Sequence, residues 1–290
     1  MLKTMKLTNE KAKSTEGCVM LLGGFDGLHA GHKTLVERAK KYGALIGAMT
    51  IVGGKSEQNL FTPFERRETF KKAGVDFVLE LPFEEIKTLS PIEFAKFLEK
   101  KFSPIAFVCG SDFRFGYMAQ GTPETLISAT QVRVEVVDLV KINDEKISSS
   151  TIKKYLLAGE VDKANALLGE EFFLIGKVYK DRQVGRKIGF PTANIDYPQG
   201  KFALKKGVYE TKVEIEGKTY QGITNYGARP TFENLKTVTE TYLDGFDGRL
   251  YGRKLQVRFV RFLREIVKFE SAEQLCAQLK EDIRRGREND

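Results

Sequence analysis

The first half of the chain alternates short apolar runs with stretches of helical periodicity. Val19-Met20-Leu21-Leu22 is an apolar run that ends in glycines, and Lys33 to Tyr42 then sets Leu35, Val36 and Ala39 on one helical face. Leu45 to Ile51 predicts a second strand, followed by a charged helical stretch around Glu65 to Lys72. Phe77-Val78-Leu79, Ile105 to Val108 and Val132 to Val137 predict further strands. Between the first two of these, Ser90-Pro91-Ile92-Glu93 combines an N-cap serine, a proline at the first helical position and a glutamate able to close a capping box, so a helix starts there. Thr151 to Leu168 predicts helix with a break at Gly159. Strands alternating with helices imply a parallel sheet covered on both faces, a doubly wound α/β domain.

After about residue 169 the apolar period drops to two. Val208 to Asn225 alternates around Glu216-Gly217, a hairpin signal, and Leu255 to Phe259 alternates again. Glycine-rich turns separate these strands, which favours a small closed antiparallel barrel over an open sheet with bare edges. A terminal helix is predicted from Ser271, where Ser-x-x-Gln opens a capping box and Leu275, Leu279 and Ile283 form one apolar stripe suited to packing. The expected division is therefore an α/β domain over 1–169 and a β domain with a terminal helix over 170–290.

Composition narrows the class. At 290 residues, with 41% hydrophobic and 30% charged residues, the chain matches a globular protein and not a disordered one. No apolar run approaches the ~20 residues that span a bilayer, and Met1 to Glu16 is polar and unlike a signal peptide, so a cytoplasmic protein is expected. Cys18, Cys109 and Cys276 are far apart and show no zinc or disulfide spacing. The net charge of +8 is spread, +3 over residues 1–169 and +5 over the rest, with no basic block. Such a balance suits an enzyme handling phosphates at least as well as a nucleic-acid binder.

Two segments carry candidate chemistry. Gly24-Phe25-Asp26-Gly27-Leu28-His29-Ala30-Gly31-His32 lies between the first predicted strand and helix, where a doubly wound fold places its ligand. Its glycines admit phosphate oxygens close to the backbone, and the helix start aims N–H groups and a positive dipole end at them. His29 and His32 are the only two histidines in the chain, and they can donate to a nucleoside triphosphate as charge develops. In the β half, Gly185 to Asn194 gathers glycine, proline and small polar residues into a single turn region.

The spacing His-x-Gly-His resembles the signature of the nucleotidyltransferase superfamily, and the longer Gly-x-Phe-Asp-Gly-x-His-x-Gly-His resembles its FMN-adenylyltransferase members. Three further segments follow in order: Phe61 to Arg67, Gly110-Ser111-Asp112-Phe113-Arg114-Phe115-Gly116, and the serine-rich Ile147 to Lys153. The resemblance implies a Rossmann-like nucleotidyltransferase domain in which Gly24, Phe25, Asp26, His29, His32, Asp112, Ser148, Ser149, Ser150 and Lys153 hold ATP, with Arg67 near the flavin. The family usually has arginine where this chain has Lys153. Lysine keeps the charge and loses the bidentate fork, which implies weaker adenylyl transfer.

Gly-Phe-Pro-Thr-Ala-Asn at Gly189 to Asn194 is similar to the signature of riboflavin kinases. That likeness implies that Gly185, Lys187, Gly189, Pro191, Thr192 and Asn194 bind ATP, with Thr192 and Asn194 holding its Mg²⁺. Asn225-Tyr226-Gly227-Ala228-Arg229-Pro230-Thr231-Phe232 and Glu240-Thr241-Tyr242-Leu243 match two more kinase segments. Glu240 matches the general base, and Arg264, in Phe262-Leu263-Arg264-Glu265, a flavin contact. Taken whole, the chain resembles the bifunctional bacterial riboflavin kinase/FAD synthetases. This implies Mg²⁺, ATP as co-substrate, riboflavin, FMN and FAD as substrates and products, and a monomer or weak homo-oligomer with no nucleic-acid or membrane partner. Competing readings are an adenylyltransferase for nicotinate nucleotide or phosphopantetheine, and an RNA-binding module suggested by the pI near 9.2. The Pro-Thr-Ala-Asn segment argues against the first, and the absence of a basic-aromatic face argues against the second.

Overall fold

The computed structural model describes residues 3–6, 16–53, 58–138, 140–142, 145–181, 189–230 and 235–287. The chain divides into two compact units, 1–149 and 150–290.

In the first unit β1 (Lys3–Lys6), β2 (Val19–Leu22), β3 (Ile46–Val52), β4 (Phe77–Pro82), β5 (Ala106–Gly110) and β6 (Arg133–Val137) form one parallel sheet in the order β1-β4-β3-β2-β5-β6. The helices are α1 (Ala30–Lys40), α2 (Pro63–Ala73), α3 (Phe83–Ile86), α4 (Pro91–Phe102) and α5 (Pro123–Ala129). The two-residue period of β2 divides the core. Cys18, Met20 and Leu22 face one layer with Phe94, Leu98 and Phe102 of α4, while Val19 and Leu21 face the other with Leu35 and Val36 of α1 and Phe70 of α2. Each such fully buried side chain contributes roughly 1.5–3 kcal/mol, so the alternation specifies which face each helix covers. Cys18 and Cys109 sit in the first layer, where burial pushes both thiols up to about 12. The capping box at Ser90 forms as expected, with the Ser90 N–H donating to the Glu93 carboxylate at 2.8 Å. The N-terminal segment, read only as polar, contributes β1 to the sheet edge.

The second unit holds a closed antiparallel barrel, β10-β13-β12-β11-β14-β9, built from β9 (Phe172–Tyr179), β10 (Thr192–Asp196), β11 (Gly207–Ile215), β12 (Lys218–Pro230), β13 (Leu235–Leu243) and β14 (Lys254–Arg264). A small hairpin of β7 (Lys141–Ile142) and β8 (Glu145–Lys146) precedes it in the chain. The predicted hairpin turn sits at Glu216 (φ 54°) and Gly217 (φ 79°), both left-handed, the backbone that two-residue hairpin loops require. Ile195, Tyr209, Thr211, Val213, Thr224, Thr239, Val257 and Phe259 point inward and are buried.

Three expectations change. Thr192 to Asn194 is not turn but the start of β10, paired with β13 and β9; the apolar pattern is hidden because Asn194 faces outward between the buried Ala193 and Ile195. The units divide at 149/150, not 169/170. The reason is that α6 (Ser149–Ala158) and α7 (Val161–Leu168) follow the barrel: Asn165 on α7 donates to Phe259 O at 2.8 Å and accepts from the Phe172 N–H at 2.7 Å. Finally, the stripe of Leu275, Leu279 and Ile283 on α8 (Ala272–Arg287) is only half-buried. The helix seats instead through Asp282 and Gly286, and Asp282 receives a bidentate ion pair from Arg264 at 2.7–3.1 Å.

Candidate active sites

The first site follows from the sheet order. Connections leave β2 toward β3 and return on its other side at β5, so a crevice opens beyond the carboxyl ends of these two strands. A cavity of about 590 Å³ occupies it, with Gly23, Gly24, Phe25, Asp26, His29 and His32 on one side and Gly110, Asp112 and Arg114 on the other. Phe25 takes a left-handed φ of 42°, a conformation costing a non-glycine residue on the order of 1–2 kcal/mol. Its ring holds it there, 1% exposed and packed 4.6 Å from His32 and 5.6 Å from Phe70. Asp26 accepts the Leu60 N–H at 2.8 Å and so ties the glycine loop to the segment before α2.

His29 is the N-cap of α1, and its Nδ1 accepts the His32 N–H at 3.2 Å. The two imidazoles stack at 3.6 Å between centroids. A Cβ at Gly31 would lie 3.3 Å from His29 Nδ1, which explains the glycine between the histidines. The hydrogen bonds assign the tautomers: Nδ1 of His29 is an acceptor, leaving its proton on Nε2, whereas Nδ1 of His32 donates to Gly27 O at 2.8 Å. Burial pushes His29 down to about 4 and His32 to about 3, the latter also through its stacked neighbour. Both rings are therefore neutral at pH 7. The first turn of α1 carries no acidic residue, unlike those of α2 and α4, so beyond the His29 cap no side-chain carboxylate of that turn offsets its dipole. A polyanion is the matching occupant, and its charge would draw a proton onto His32.

Ser148 and Ser149 line this cavity. Asp112 pairs with Lys146 at 3.0 Å, and Arg67 on α2 pairs with Glu80 at 3.0 Å. Ser150 and Lys153 belong to the second unit, where the Lys153 amine lies 5.3 Å above the Phe202 ring. Arg114, Asn59 and Asp138 also line the cavity. Sequence reading gave these three no role: Asn59 and Asp138 are single polar residues without a spacing signal, and Arg114 was read only as part of the Gly110 to Gly116 segment.

In the barrel unit a cavity of about 600 Å³ is lined by Pro191, Thr192, Asn194, Lys180, Asp247 and Arg249, among others. Antiparallel register sets Asn194 of β10 opposite Glu240 of β13, and Glu240 opposite Asn225 of β12. Directly opposed residues share a sheet face, so the three side chains form one row on the outer face of the barrel. Asn194 is 6% exposed, its Nδ2 turns to Thr192 O at 3.5 Å, and its Oδ1 is buried without a hydrogen-bond partner. That unsatisfied oxygen, on a strand whose Thr192 lines the same cavity, suits a hard cation such as Mg²⁺, which prefers oxygen ligands. Gly185 and Lys187 lie outside the described residues; Gly189 and Pro191 are exposed beside the cavity strand. Arg264 is committed to Asp282. Lys180 and Arg249 are the cations that sequence reading missed.

The two halves match different family models: FAD synthetase over residues 11–151 and riboflavin kinase over residues 168–289. The bifunctional riboflavin kinase/FMN adenylyltransferase of Listeria monocytogenes is 32% identical, the alignment covering 91% of this chain and 90% of the relative. That of Bacillus subtilis is 31% identical over 97% and 96%, and that of Escherichia coli K12 30% identical over 94% and 93%. Among solved structures, one described as a macrolide-efflux protein from Streptococcus pneumoniae superposes with a TM-score of 0.89 at 29% identity, covering 99% of both chains. With whole-length relatives above 30% identity and both family models in order, the chain belongs to the bifunctional riboflavin kinase/FMN adenylyltransferase family.

Proposed function

We propose that the chain makes flavin cofactors in two steps: riboflavin and ATP give FMN and ADP in the barrel unit, then FMN and ATP give FAD and pyrophosphate in the α/β unit. The observation that carries this reading is that each family model falls on a unit with its own cavity and its own motif. Neither step needs a protein nucleophile, since both depend on position and charge stabilisation.

In the kinase step Glu240 accepts the proton of the ribityl 5′-hydroxyl as that oxygen attacks the γ-phosphorus and ADP leaves. Thr192 and Asn194 hold the metal of MgATP. Mg²⁺ bound there supplies charge neutralisation on the phosphates. Gly185, Lys187, Gly189 and Pro191 belong to the same nucleotide loop in this reading, and Arg264 flanks the flavin.

In the adenylyl step the phosphate oxygen of FMN attacks the α-phosphorus of ATP. Gly24, Phe25, Asp26 and the N-terminus of α1 cradle the triphosphate. His29, neutral with its proton on Nε2, donates to it without a charge cost, and the departing pyrophosphate is met by Ser148 and Ser149. Asp112 holds the nucleotide and Arg67 the flavin. Among the described residues no helix is long and apolar enough to cross a membrane, and the reading places the protein in the cytoplasm as a monomer or weak homo-oligomer. Incubating the purified chain with riboflavin and MgATP and separating the flavins by chromatography tests it: FMN should appear first and FAD after it. No FMN at any time would refute the barrel assignment, and FMN without FAD the α/β assignment.

A further inference from the structure

Among the side chains flanking Glu240, Asn225 is the one to which the reaction above assigns no role. It lies on β12 directly opposite Glu240, as Asn194 lies opposite it on β10. The outer row therefore reads carboxamide, carboxylate, carboxamide across three strands. Like that of Asn194, the carboxamide oxygen of Asn225 is buried and accepts no hydrogen bond. A buried acceptor left unmade costs about 1–3 kcal/mol, so native chains keep few of them. Two such oxygens on either side of one carboxylate indicate that a ligand completes the row.

The chemistry selects the ligand group. A carboxamide oxygen accepts, so its partner is a donor or a cation. On the Asn194 side Thr192 lines the same cavity and brings a second hard oxygen suited to a metal. On the Asn225 side the next residues in register are Val208 of β11 and then Arg264 of β14, whose guanidinium is held by Asp282. An aliphatic neighbour and an engaged arginine offer a metal nothing, which leaves a neutral hydroxyl donor.

We propose that Asn225 is a substrate-positioning residue, its Oδ1 accepting a hydrogen bond from a hydroxyl of the flavin's polyol chain so that the reacting hydroxyl is presented to Glu240. The proposal rests on the kinase reading of the barrel unit. It extends recognition from the flavin ring to its sugar chain: a ring without the polyol gains nothing from Asn225.

Binding measured by flavin fluorescence on the full-length chain separates the two, because it needs no turnover. Riboflavin is compared with lumiflavin, which carries the ring and only a methyl group in place of the polyol. Asn225→Leu should weaken riboflavin about tenfold, the worth of one hydrogen bond, with lumiflavin affinity unchanged. Asn225→Ser, which restores an acceptor, should recover most of the loss. In turnover the leucine variant should raise KM for riboflavin more than it lowers kcat. Because no internal partner is lost, the melting temperature of Asn225→Leu should stay level or rise. Equal weakening of both flavins, unchanged riboflavin binding, or a leucine variant that fails to fold would each overturn the proposal, the last by revealing a structural partner. If the parent chain binds riboflavin but never phosphorylates it, the kinase reading fails while the binding comparison still decides the role of Asn225.

Discussion

The two units solve phosphate chemistry with different materials. In the α/β unit the site is mostly backbone: a glycine loop, the N-terminus of α1 and two stacked, uncharged imidazoles within nine consecutive residues. In the barrel the proposed site is a row of side chains from β10, β13 and β12, brought together by register over more than forty residues of sequence. A backbone site owes its geometry to local folding and a positive dipole. A register site depends on strand pairing, since a one-residue slip would turn Glu240 inward. The first is therefore tuned by electrostatics and the second by the barrel's integrity.

The largest contrast should come from the histidines. Replacing both His29 and His32 with alanine removes side chains of the α/β site alone, so FAD formation should cease while FMN accumulates from riboflavin; wild-type FAD production in a chromatographic time course would disprove the assignment. Next, Glu240→Gln keeps the shape and removes the base. General-base catalysis contributes on the order of 10²–10⁴-fold, and riboflavin phosphorylation should fall by that factor with little change in KM. Near-normal FMN production would reduce Glu240 to an ordinary strand carboxylate.

A stability difference follows from how α8 is held. Asp282 is buried, its side chain 1% exposed, and Arg264 retains 17% exposure. Breaking a buried pair by removing one partner costs about 3–5 kcal/mol, with the exposed part of the arginine placing this case at the low end. Asp282→Ala should therefore lower the denaturant midpoint of the barrel unit and not that of the α/β unit. A single unchanged transition would show that the pair contributes nothing.

The smallest effect is a pH dependence confined to the α/β unit. His29 and His32 have folded values near 4 and 3, below the usual 6.5, so between pH 6.5 and about 4 the unfolded chain binds more protons than the folded one. Stability then falls on acidification. The double alanine variant should lose less stability than the parent between pH 6.5 and 5. Added ATP should flatten the parent's slope too, by supplying charge that favours protonated His32.

This contrast also explains what could be read from the chain alone. The glycine–histidine loop is contiguous, and so were the strand–helix alternation and the capping box at Ser90; at Ser271 the hydroxyl accepts the Gln274 N–H, while the Gln274 side chain accepts from the Glu270 N–H and not from Ser271. Reading failed where tertiary pairing decides. Thr192 to Asn194 resembled a turn because its glycine and proline neighbours dominate the window, yet two barrel strands claim it. Helices α6 and α7 carry α/β-like periodicity and join the barrel through the polar contacts of Asn165. Asn225 had a motif around it but no visible function until register set it beside Glu240.

The central claim is that two independent sites act in succession, and mixing two crippled proteins tests it most directly. Riboflavin and MgATP are supplied to Glu240→Gln alone, to the His29→Ala/His32→Ala protein alone, and to an equimolar mixture, and FAD is quantified by chromatography. Each variant alone should yield little or no FAD, whereas the mixture should yield it freely, the histidine variant supplying FMN that the Glu240 variant adenylylates. A mixture no better than its components, with both proteins folded and FMN present, would contradict the account.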